Sequence, residues 1–117
     1  MKYIVSVLFM LAINVHAADM KTVSGTINSI QFMGDDPSSY STTGNAIALI
    51  HMDALPVSCD NSNGFRRVAI TSDHPAYNSV VSGALASKAS GQTVQLYYVE
   101  ECTLRSSAWD FAILFIK

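Results

Sequence analysis

The sequence predicts a mainly β domain with one helix, and three observations carry that prediction. Apolar and polar residues alternate over several short runs separated by turn formers, which is the period of half-buried strands. One segment alone, after Thr71, carries apolar residues at helical spacing. Two cysteines, Cys59 and Cys102, occur in a short chain, the pattern of a small domain stapled by one disulfide.

The chain opens with an export signature. Lys2 precedes an apolar run from Tyr3 to Val15 that only Ser6 and Asn14 interrupt, and Val15-His16-Ala17 suits a signal peptidase. The run is shorter than the ~20 apolar residues of a membrane span. No cysteine follows it to take a lipid anchor. We therefore expect residues 1–17 to be a signal peptide and 18–117 a single soluble domain, periplasmic or secreted.

Residues 21–33 alternate through Val23, Gly25 and Ile27. The apolar phase then flips to Ile30 and Phe32, so the first strand is expected to bulge near Asn28-Ser29. A polar loop runs from Gly34 to Asn45. Residues 46–52 read as a second strand, and Asp60-Asn61-Ser62-Asn63-Gly64 as a turn. The third strand is expected over Phe65 to Thr71, with Phe65, Arg67 and Ala69 on one face and Arg66, Val68 and Ile70 on the other. Ser72 or Asp73 is the expected helix N-cap, with Pro75 in the first turn. Tyr77, Val81, Ala84 and Leu85 form the expected buried face, Lys88 suits the C-terminal dipole, and Gly91 is the C-terminal cap. Residues 93–100 alternate strongly. Residues 108–116 are apolar on both parities, which places the last strand centrally in a barrel or under a partner subunit.

The order is strand, strand, strand, helix, strand, strand. That order and the need to cover strand edges favour a small OB-like five-stranded barrel, with the helix between the third and fourth strands. The competing architecture is a curved antiparallel sheet with one packed helix.

A formal net charge of −2 argues against nucleic acid, which needs a basic stripe to neutralise phosphates. Nor does it favour an anionic membrane. Pairing of Cys59 with Cys102 would restrict the unfolded chain by roughly 4 kcal/mol. His51 and Asp53 share a strand face at a spacing that fits two metal ligands, but nothing selects a third, so no metal site is assigned. The turn at Asp60 fails the calcium-loop pattern, because its glycine is fifth and Thr71 stands where a glutamate is needed. No G-x-S-x-G elbow, glycine-rich phosphate loop or catalytic carboxylate pair appears, so we expect neither an enzyme nor a cofactor. A binding role has more support. Asp35, Asp36, Ser39 and Tyr40 in the first loop, with Asn61, Asn63, Arg66 and Arg67 near the next turn, combine an aromatic face with short polar groups, as sugars require.

The segment Ala84-Leu85-Ala86-Ser87-Lys88-Ala89-Ser90-Gly91-Gln92-Thr93-Val94-Gln95-Leu96-Tyr97-Tyr98 leads an alanine-bearing helix end through a glycine turn into a tyrosine-bearing strand. In this the chain resembles the B subunits of bacterial AB5 toxins of the subtilase-cytotoxin and typhoid-toxin type. The specific likeness covers only those fifteen or so residues. The resemblance implies a secreted OB-fold lectin subunit that forms rings of five by strand pairing and binds cell-surface glycans. The cysteine positions depart from that family, and its glycan-contacting residues have no matching motif here. The chain is also similar to small secreted proteins of Gram-negative bacteria with the same plan, which implies no particular activity. Two functions follow as expectations: an oligomeric binding module for a glycan or protein, or a monomeric envelope inhibitor that blocks a protein partner.

Overall fold

The computed structural model describes residues 19–34 and 44–117. The expected signal segment 1–17 lies outside them, as do Asp35, Asp36, Ser39 and Tyr40. Six strands and one helix follow in the order β1 (Met20–Gly25), β2 (Ser29–Gly34), β3 (Ala46–His51), β4 (Arg67–Thr71), α1 (Tyr77–Ser90), β5 (Val94–Val99) and β6 (Trp109–Ile116). A 3-10 turn occupies Ser58–Asp60. The described residues are thus mainly β with one helix.

The hydrogen-bonded order is β1-β5-β6-β4-β3-β2. The expected first strand is split: Thr26, Ile27 and Asn28 leave the ladder, β1 pairs with β5, and β2 pairs with β3 at the opposite edge. The break has a local cause. Ile27 turns into the core, and the Asn28 N–H donates to the His51 carbonyl at 2.8 Å. The Asn28 side chain then clasps Asp53, donating from Nδ2 to Oδ2 at 3.1 Å and accepting from the Asp53 N–H at 2.7 Å. The ladder does not close between β1 and β2, so the sheet has six strands in an open order rather than five in a closed one. Nor is it purely antiparallel, since β4 and β6 run parallel through Val68–Trp109 and Ala69–Asp110.

The main core lies on one side of the sheet. Ala48, Ile50, Val68, Ile70, Val94, Leu96 and Tyr98 meet Val80 and Ala84 of α1 there. A smaller cluster of Ile47, Leu49, Ala69 and Ala108 lies on the other side, against Met33. This explains why β3 and β4 are buried on both faces, as their near-continuous apolar sequence requires.

The helix starts later than its sequence signals suggest. The residue before α1 is Ala76, with no side-chain cap, because the expected capping groups are used elsewhere. Ser72 Oγ accepts from the Ala46 N–H at 2.9 Å, and Asp73 takes the Thr71 hydroxyl. The buried stripe is Val80, Ala84 and Ser87, flanked by Tyr77 and Val81, while Leu85 is exposed. Gly91 terminates the helix as expected, at φ 67°, with its N–H on the Lys88 carbonyl and that of Gln92 on Ser87.

In β6 a bulge at Ala112 resets the side-chain phase, since Tyr98 faces Phe111 but Tyr97 faces Ile113. Phe111 and Leu114 therefore both pack on the main core, and Ile113 and Phe115 point away from it. Cys59 and Cys102 are joined, with Cα atoms 6.5 Å apart. The bond ties the 3-10 turn to the loop between β5 and β6.

Candidate functional site

Two features of the described surface stand out: a cationic cluster on the outer face of β3 and β4, and an apolar groove where β6 runs past α1.

The cluster centres on Arg67. The strand alternation places this residue beside Ala69 on the face away from the main core, and it is only 4 % exposed. Its backbone is held from below by the fully buried Ser58, whose hydroxyl donates to the Arg67 carbonyl at 2.9 Å and accepts its N–H at 3.2 Å. Its guanidinium lies 4.0 Å from the centre of the Phe65 ring, a cation–π contact. Nε donates to the Ser107 carbonyl at 3.2 Å, Nη2 to the Ser107 hydroxyl at 2.7 Å, and Nη1 to Gln31 Oε1 at 3.4 Å. Burial, and then the charge of nearby Arg105, lower the pKa of Arg67. His51 stands opposite Arg67 across the β3–β4 ladder, with its ring edge-on to Phe65. Burial, and then the Arg67 charge, lower its pKa from 6.5, so its neutral form is favoured. Arg105 adds a second guanidinium, whose Nε is buried without a hydrogen-bond partner. Among the described residues no carboxylate pairs with either arginine.

The loop that carries Arg105 and Ser107 is pinned at several points. Cys102 is bonded to Cys59. The Asp110 carboxylate accepts the Thr103 N–H at 2.9 Å, the Thr103 hydroxyl at 2.6 Å and the Leu104 N–H at 3.4 Å. The Ala108 N–H closes a short turn on the Arg105 carbonyl at 3.2 Å.

The groove is about 280 Å³, and its walls include Ala76, Ser79 and Val80 on one side and Phe111, Ile113 and Ile116 on the other. Beyond Asp110, β6 has β5 as its only strand partner among the described residues. Its outer edge is bare where Ile113 and Phe115 are 45 % and 49 % exposed.

No family model, curated protein or solved structure matches the chain.

Of the binding residues expected from sequence, Asn61 and Arg66 are engaged within the fold. Asn61 Nδ2 donates to the Ser58 and Phe65 carbonyls at 2.8 and 3.1 Å, and its Oδ1 accepts the Phe65 N–H at 2.9 Å. It shapes the turn that leads into β4. Arg66 Nη1 donates to the Leu55 carbonyl at 2.9 Å, strapping the preceding loop. Asp53 is the partner of Asn28, so the expected His51–Asp53 pair is divided between a corner clasp and the arginine cluster. Arg67, expected near the same turn, is instead the centre of the buried cluster. Arg105 and Ser107 were not expected there, because only the tertiary structure brings their loop against β4.

Proposed function

We propose that the chain is an exported, non-enzymatic binding protein whose copies associate through the outer edge of β6. The bare apolar edge of β6 is the observation that carries this reading. Exposed backbone donors and acceptors on an apolar edge are a template for another strand, and soluble monomers usually cover or charge such edges. Burying Ile113 and Phe115 at an interface would each contribute roughly 1 kcal/mol or more, given that half of each side chain is already covered. The disulfide is compatible with an oxidising compartment outside the cytoplasm, periplasmic or secreted.

An OB-like barrel gives the same reading at the level of the fold. β1 and β2 are separated by three residues and border opposite edges of the sheet, so they read as two halves of one coiled strand that wraps it. Counted that way the strands number five, with α1 between the third and fourth. The likeness to toxin B subunits, and with it a glycan as ligand, is part of this proposal. The loop bearing Asp35, Asp36, Ser39 and Tyr40 stays the proposed contact surface.

Light scattering on the purified protein at ~50 μM tests the assembly. A mass several times that of the chain is expected, falling to one chain in Phe115→Glu with an unchanged circular dichroism spectrum. A wild-type monomer at that concentration would overturn the assembly and leave the monomeric inhibitor as the reading to pursue. A glycan array then tests the ligand class.

A further inference from the structure

The arginine cluster plays no part in the proposed association through β6, and its charge is unbalanced among the described residues. A guanidinium offers five N–H donors. Arg67 spends three, one of them on a long bond to Gln31, and no acid balances its charge among the described residues. Arg105, on the same short loop as the Ser107 that bonds Arg67, brings a second cation whose Nε is buried and unpartnered. Two cations that share a site without a counter-charge are unfavourable, more so away from water. The surrounding structure nonetheless holds them in place: Ser58 fixes the Arg67 backbone, Phe65 supports its guanidinium, and Ser107 orients it. The disulfide and Asp110 pin the loop that delivers Arg105. A guanidinium held this firmly, with its charge unbalanced and Nη hydrogens to spare, is preorganised for a ligand that supplies the missing charge.

We propose that Arg67 and Arg105 form a binding site for an oxyanion, a carboxylate or a tetrahedral sulfate or phosphate group, carried by a ligand that docks on the outer face of β3 and β4. Arg105 supplies the Nη side of its guanidinium, and Arg67 supplies its spare Nη hydrogens. Planar guanidinium forks match either anion, and charge-assisted bonds are the stronger kind. Phe65 and Gln31 flank the site with an apolar face and a neutral amide. His51 borders it and reports on it, because an anion beside the two arginines would offset the positive charge that disfavours imidazolium.

The site is tested by titrating the purified protein with sodium acetate, sodium sulfate or sodium phosphate, with sodium chloride as control at equal ionic strength. NMR would follow the Arg105 Nε–H resonance and the titration of His51. We expect a saturable shift of the Arg105 resonance and a rise in the His51 pKa. Arg105→Gln should weaken binding ~10-fold or more, as the loss of a charged hydrogen bond does. Because that Nε makes no bond in the fold and its charge opposes that of Arg67, the variant should melt no lower than the wild type. Saturation by acetate alone marks a carboxylate ligand, and saturation by sulfate or phosphate marks a tetrahedral one. Shifts that match chloride in the wild-type protein, or equal binding by Arg105→Gln, would overturn the proposal. Neither result depends on assembly through β6, so the two readings fail separately.

Discussion

Ser58 and Arg67, nine residues apart, bond each other in both directions. The Ser58 hydroxyl donates to the Arg67 carbonyl and accepts the Arg67 N–H. The serine is fully buried, so these bonds replace water at a point where β4 emerges from the preceding loop. Replacing Ser58 by alanine leaves two buried backbone groups of Arg67 without that partner. The expected cost is ~1–3 kcal/mol, read as a lower urea midpoint with an unchanged slope. An unshifted midpoint would show that water takes over both bonds.

Cys102→Ser tests the staple. Removing the bond restores freedom to the unfolded chain across 43 residues of sequence separation. Stability of the oxidised protein should fall by ~2–5 kcal/mol, measured without reductant. Equal midpoints for the two proteins would refute a stabilising role for the bond.

Gly91→Ala isolates a backbone effect. Nothing lies within 4 Å of a methyl added there, so packing neither gains nor loses. The residue sits at φ 67°, which a β-carbon disfavours. A loss of ~1 kcal/mol is expected by thermal or urea unfolding, and a neutral substitution would mean the helix end relaxes out of the left-handed conformation.

His51 predicts a pH dependence with a definite sign. Its folded pKa lies below the unfolded value of 6.5, so the unfolded chain binds the proton more readily. The stability tied to neutral His51 is fully present above pH 6.5. It declines as the pH falls below that value and levels off beneath the folded pKa. Urea midpoints at pH 7.5 and 5.5 should therefore differ more in the wild type than in His51→Gln. Equal differences in the two proteins would remove His51 as the source.

Local chemistry was legible in the sequence. The alternation of Val94, Leu96 and Tyr98 marks the buried face of β5, and Gly91 marks the end of α1. The phase flip after Ile27 locates an irregularity, read as a bulge in one strand, where the structure has two strands, and the cysteine count marks the bond between Cys59 and Cys102. Each depends on residues near one another in the chain or on a pairing with no alternative. Tertiary structure alone decided which strands became neighbours, because alternation says which face of a strand is buried but not which ladder it joins. The parallel pairing of β4 with β6 and the placement of β1 and β2 at opposite edges belong to that class. So does the burial of Arg67: its strand face was predictable, but the contacts that hold it come from Ser58, Gln31 and Ser107, on three other segments. Asn61 shows the converse. It looked free to bind a ligand because its amide could serve either a sugar or a turn, and the fold gave every one of its bonds to the turn. Side-chain polarity is a property of the residue, whereas the choice of partner is fixed only when distant segments close around it.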